Sequence, residues 1–243
     1  MTRSTLLLAA LCLTCPAVLA QDTPDGHWHG GLSLSGALAS GNTSSRTLAA
    51  NADTSRATAD DKISLYGLAN YGRSRVGGVT TTTADLLRLG GRYDFNLGAR
   101  WFSFGGAEGE TNEAGGVRDR YSLNGGVGHH LVKNDAHLWD VFAGVGYTDT
   151  RATDGTRANG AQALFGEESS HKLSDTTSLK QRLVYYPDGG ELGDRATFDA
   201  SLATTLSGSW TLNAGLSSRY SSRVPAGTRK TDKLLTMGFG YKF

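Results

Sequence analysis

From Trp28 onward the chain alternates. Trp28, Gly30, Leu32, Leu34, Gly36 and Leu38 take the even positions, and His27, His29, Ser33 and Ser35 take the odd ones. A period of two predicts a strand with one apolar and one polar face. The pattern returns at Leu48, Ala50, Ala52; at Ile63 to Tyr71; at Leu87 to Phe95; at Tyr121 to Val127; and at Trp139 to Tyr147. It continues through Leu179, Leu183, Tyr185; Phe198 to Leu206; Trp210 to Tyr220; and Leu235, Met237, Phe239, Tyr241, Phe243. Segments 101–111 and 161–173 have strand composition with their phase left open. The total is about twelve strands.

Most of these runs fit the roughly 9–11 residues of a tilted membrane strand better than the 5 or 6 usual in a globular sheet. No later apolar run reaches the roughly 18 residues of a spanning helix. Connections alternate in length: short at 59–61, 97–100, 133–135, 174–176 and 207–209, longer at 74–80, 112–117, 149–159, 187–194 and 224–231. The first hairpin, at Gly41-Asn42-Thr43, is short where a longer one is expected. The pattern predicts an all-β fold, a transmembrane up-and-down antiparallel β-barrel of outer-membrane type, with short turns on the periplasmic side.

Each face is then assigned. An Arg or Lys facing lipid at mid-depth costs about 2–4 kcal/mol, so the polar parity must line a lumen. That parity carries Arg88, Arg92, Asp94, Arg118, Arg120, Asp140, Lys180, Arg182, Asp199 and Arg219. Glu108 and Glu110 on the same face would turn Phe102 and Phe104 inward unless a bulge intervenes. Gln181 and Glu167 fall on the apolar parity and fit it badly. Trp28, Trp101, Trp139 and Trp210 open odd-numbered strands, whereas Tyr71, Tyr121, Tyr147, Tyr185, Tyr186 and Tyr220 gather where strands meet the longer connections. Two aromatic girdles at membrane–water interfaces are expected from this sorting. In a closed barrel the last strand lies against the first, and Phe239, Tyr241 and Phe243 resemble the carboxy-terminal signal read by the barrel assembly machinery.

Composition narrows the classes further. The 33 Gly and only 4 Pro among 243 residues suit many short-turned strands, and 24 basic against 23 acidic residues leave no electrostatic footprint for nucleic acid. Residues 1–20 read as a secretory signal: Arg3, the apolar stretch Leu6 to Leu13, then Val18-Leu19-Ala20 before Gln21. Residues 21–26 are then a short periplasmic approach and 27–243 the barrel, located in the outer membrane. Both cysteines, Cys12 and Cys15, lie in the signal, so the mature chain has no thiol for a disulfide or metal.

With the strands laid out, GNTSSRT at 41–47, DRYSLNGGVGHHLVKNDAHLWDVFAGVGY at 119–147 and HKLSDTTSLKQRLVYYPD at 171–188 resemble the family of the domain of unknown function numbered 481, the salt-induced outer-membrane proteins. The likeness covers nearly all of residues 28–243. It rests on a mosaic of glycines, aromatics and turns, so it implies fold and location and no chemistry. The family often carries an aromatic–basic pair where His129-His130 stands here.

No catalytic, metal or cofactor site is expected. His27 and His29 share a strand face without a third ligand, His129 faces lipid and His130 the lumen near a rim, and His137 and His171 sit by tight turns. GGVGHH and AGVGY lack the strand-to-helix context of a phosphate loop. The leading reading is a monomeric barrel with a narrow polar lumen, a small-solute or anion channel or an envelope-stress structural protein. Its partners would be outer-membrane lipid, lipopolysaccharide and the assembly machinery. The alternatives are a non-conducting interaction or lipid-binding barrel, a lipid-modifying barrel enzyme with a lipid-facing Ser and His, and a soluble lipocalin-like binder.

Overall fold

A computed structural model describes residues 24–39, 43–188, 190, 192–224 and 230–243; residues 1–20, read above as a secretory signal, and the Gly41-Asn42 part of the first hairpin lie outside them. Twelve strands follow in order: β1 (Trp28–Ala39), β2 (Thr43–Ala57), β3 (Asp61–Val76), β4 (Val79–Asn96), β5 (Trp101–Asn112), β6 (Val117–Lys133), β7 (His137–Ala152), β8 (Arg157–Lys172), β9 (Thr177–Tyr186), β10 (Arg195–Ser207), β11 (Trp210–Ser221) and β12 (Thr231–Lys242). Each pairs antiparallel with its sequence neighbours, and β1 pairs with β12, so the sheet is a closed barrel. The closing register runs from Gly31↔Lys242 to Leu34↔Phe239. Phe243 N–H donates to the Gly30 carbonyl at 3.0 Å, and Gly30 N–H donates back at 3.1 Å. Closure satisfies edge groups that hydrocarbon could not.

The barrel is apolar outside and polar inside. Leu34, Leu123 and Val145 are each about two-thirds exposed, while Asn51, Asp140 and Thr236 are buried. In the strands whose phase alternation assigned, the large exposed apolar residues of the middles, Leu65, Leu89, Leu123 and Val145 among them, fall on the parity given to lipid. The segments of open phase are resolved: β5 and β8 are strands, β5 with a register shift against β6 only between Glu110 and Asn112, and Phe102 and Phe104 point inward on the same parity as Glu108 and Glu110. With Phe142, Leu164 and Val184 they form one apolar cluster inside the barrel.

Three inward rings are seated on glycine. Tyr66 faces Gly90, Phe102 faces Gly128 and Phe142 faces Gly166, each directly across a strand pair. A Cβ on any of these glycines would enter the opposing ring. An aromatic side chain laid across a glycine covers backbone that would otherwise be bare.

Two long connections are shorter than expected. β3 and β4 run past 74–80 to a two-residue turn, Gly77-Gly78, with φ 57° and 87°, the paired positive φ of a type I′ hairpin. The 149–159 connection contracts to 153–156. Between 112 and 117 a 3-10 turn, Glu113–Gly115, is capped by Asn112, whose side-chain oxygen accepts the Gly115 N–H at 2.9 Å.

Candidate functional site in the barrel lumen

A cavity of about 750 Å³ runs through the interior. Its walls extend from Leu138, Ser170 and Lys180, beside the short turns, to Gly116, Arg223 and Lys230, beside the longer connections. Eleven basic side chains and five carboxylates contribute to its described lining. A twelve-stranded barrel lies between eight strands, which pack shut, and sixteen, which leave a water channel. Side chains therefore decide the bore.

In the half nearest the short turns, Arg92 dominates. Its Nε donates to Asp94 Oδ1 at 2.8 Å, and its Nη1 lies 3.4 Å from Glu168 Oε2 on β8, a strand four places away around the barrel. Arg182 Nη1 donates to the same Glu168 oxygen at 2.9 Å. The Arg92 guanidinium sits 4.5 Å from the Phe104 ring centre and 5.2 Å from Phe142, and Arg182 is also 5.2 Å from Phe142. This arrangement narrows the lumen by joining walls four strands apart. Below it, Asp140 Oδ1 pairs with His130 Nδ1 at 2.6 Å, and the His130 ring stacks on Phe102.

In the half nearest the longer connections, Glu110 accepts from Arg88, with Nε at 2.9 Å, and lies 3.7 Å from Arg120 Nη1. Arg88 Nε is also 3.7 Å from Glu108, which accepts a hydrogen bond from Tyr66. Asp199 accepts from Arg219 Nη2 with both oxygens at 2.9 Å and from Ser217 Oγ at 2.8 Å. Arg195 reaches across to Gln162 and Thr148.

Arg88, Arg92, Asp94, Arg120, Asp140, Lys180, Arg182, Asp199 and Arg219 thus all point inward. Arg118 does not. The β6–β7 register shifts between Val117 and Asp119, so the bulge turns Val117 into the barrel and leaves Arg118 exposed. Tyr186 also departs from its expected girdle position: it faces the cavity beneath Arg195, at 4.8 Å. Trp28, Trp101, Trp139, Trp210, Tyr71, Tyr121, Tyr147, Tyr185 and Tyr220 are exposed on the outer wall, as are Phe239, Tyr241 and Phe243. Tyr66, Glu168 and Arg195 are lumenal residues that sequence reasoning did not single out. Tyr66 alternates with Leu65 and Gly67, and Arg195 shares parity with Asp199, so each carried a signal.

The awkward outward residues satisfy one another. Glu167 accepts from Trp139 Nε1 at 2.8 Å and from Gln181 Nε2 at 3.2 Å. His129 packs edge-on against Trp101, with ring centres 4.7 Å apart, and His137 meets His171 at 3.1 Å. At the entrance to β1, Asp25 accepts the His27 backbone N–H and bonds to His29 Nε2, both at 2.8 Å. These contacts, the backbone one foremost, hold the exposed Asp25 carboxyl below its usual range. Among the described residues no group of three His, Cys, Asp or Glu is placed to hold a metal ion.

A closed strand cylinder, apolar without and charged within, defines an outer-membrane-type β-barrel. The family model described as "Protein of unknown function, DUF481" matches residues 32–243, and the chain belongs to that family. No curated protein matches it by sequence. Among solved structures, the COG4313 outer membrane channel from Pseudomonas putida F1 superposes with a TM-score of 0.55 at 11% identity, over 94% of this chain and 100% of that one. The translocator domain of the autotransporter NalP from Neisseria meningitidis matches at a TM-score of 0.45 and 11% identity, over 88% of this chain and 87% of that one. At these identities the first likeness establishes a shared fold.

Proposed function

We propose that the protein is a narrow, monomeric channel of the outer membrane for small solutes, with a preference for anions. One observation carries the reading: the cavity has walls from both ends of the barrel, and basic groups outnumber carboxylates in its described lining by eleven to five. Lumenal charge of one sign concentrates counter-ions in a low-dielectric pore. Export by the amino-terminal signal and folding by the assembly machinery complete this reading. Outer-membrane lipid surrounds the wall, and lipopolysaccharide meets the Tyr girdle.

Single-channel recording in planar bilayers tests it. The mature barrel is expected to give steady conductance, with a reversal potential in a KCl gradient displaced toward chloride and reduced in Arg182→Ala. A folded barrel that leaves the bilayer silent overturns the proposal. A silent bilayer would favour the second reading, a non-conducting barrel, which the Arg92–Glu168 junction across the lumen supports. The reading assigns no catalytic residue. Heat-modifiable migration on detergent gels, lost on boiling, is expected of the membrane barrel and not of a soluble binder.

A further inference from the structure

We propose that the loop-side half of the lumen contains an oxyanion-binding station built on Arg195, taking a small carboxylate or phosphate-bearing solute. The inference rests on the lumen being an aqueous path open at that end, and it adds where along the path an anion stops.

Charge pairing isolates Arg195. Nearby, Arg88 and Arg120 are matched by Glu108 and Glu110, and Arg219 by Asp199. Arg195 makes no ion pair among the described residues. Its Nη2 donates to Gln162 Oε1 at 2.6 Å and to Thr148 Oγ1 at 3.3 Å, both uncharged acceptors. Its plane lies over the Tyr186 ring. Its Nε is buried and has no hydrogen-bond partner. A desolvated guanidinium with an idle donor is costly without a counter-charge, and cavity lining makes this one reachable by a solute.

The surroundings define the ligand. Gln162 and Thr148 take the Nη2 donors and Tyr186 lies against one face, which leaves the Nη1 end of the guanidinium for an incoming group. An oxyanion suits that end, because one of its oxygens can accept a charge-assisted hydrogen bond from the guanidinium while another turns to neighbouring hydroxyls. Ser122 and Thr148, whose hydroxyls are 3.1 Å apart, and Thr150, bonded to Arg120 Nε at 3.1 Å, add uncharged hydrogen-bonding partners. A monatomic halide would use one donor and leave these idle. Arg223, Lys230 and Lys233 at the same end of the cavity raise the local anion concentration.

Isothermal titration calorimetry on the refolded mature barrel in neutral detergent tests the station, with inorganic phosphate and acetate as separate probes. Wild type is expected to bind at least one of them saturably. Arg195→Gln is expected to weaken that binding on the order of tenfold, as for loss of a charge-assisted pair. Arg195→Lys keeps the charge and loses the fork, so it is expected to weaken binding as well; it decides the matter if the glutamine variant does not fold. Glu110→Gln, which frees Arg120, is expected to tighten binding, and Arg151→Gln at the exposed rim is expected to leave it unchanged. Absence of saturable binding in folded wild type overturns the station, as does a folded Arg195 variant that binds like wild type. Conductance separates the two proposals: a barrel that binds but stays electrically silent keeps the station and loses the channel, and one that conducts without binding does the reverse.

Discussion

At Arg92 a single guanidinium bonds to Asp94, reaches Glu168 four strands away and lies against the rings of Phe104 and Phe142. Replacing it with alanine removes the bridge and empties space between β4 and β8. Arg92→Ala is therefore expected to raise single-channel conductance and to lower the temperature at which the barrel loses its heat-modifiable form, both read on the same preparation. Glu167 works differently, because it faces outward and its carboxylate is shared by Trp139 and Gln181. Glu167→Ala leaves the Gln181 amide against lipid without its acceptor, a loss of about 1–3 kcal/mol, whereas Glu167→Gln keeps an acceptor and is expected to cost less; equilibrium unfolding in urea distinguishes them. Asp25 sets a pH dependence outside the strands. Its folded carboxyl titrates below the unfolded value, so its contacts with His27 and His29 persist above the ordinary carboxylate range and are lost as pH falls through the lowered value. A carbon-detected NMR titration is expected to place its midpoint below that of an unstructured aspartate.

Among the elements, the glycine seats explain where the barrel tolerates large inward rings. Phe102 occupies the space a side chain at residue 128 would need. Gly128→Ala is expected to displace the ring and cost about 1–3 kcal/mol by overpacking, with the stack of Phe102 on His130 disturbed as well; urea unfolding and aromatic NMR shifts check this. A smaller partner restores room, so Gly128→Ala combined with Phe102→Leu is expected to recover part of the loss. Bulges act at the same scale. The shift at Arg118 turns one residue over without altering the facing of Arg120 or Asn124 beyond it, which is how a strand changes phase at a rim while its middle stays in register.

For the whole molecule, the β1–β12 seam closes through Gly31 to Leu34 and the reciprocal bonds of Gly30 with Phe243, and the interior depends on that closure. Arg92 and Glu168 are 76 residues apart and meet only because the cylinder curves them toward each other. How much of this was legible beforehand follows from range. The facing of Arg88, Arg182 or Leu123 can be read from alternation, since a side chain's face is set by its own backbone and the residues beside it. Arg118 was misread because a bulge adds a residue without altering composition. Glu168 was passed over because its strand carries Glu167 and Glu168 in succession, so alternation has no preferred phase there. Arg195 was passed over because it opens a strand directly after a connection, where a charge looks solvated.

The alternation, the sorting of Trp and Tyr, and the apolar last strand were enough to determine a barrel whose outer wall meets lipid, because each is a local consequence of a pleated backbone at an interface. Which lumenal charges meet, and which one is left without a partner, was decided only by strand register, bulges and closure. These bring together residues distant in sequence, and no local period encodes that distance.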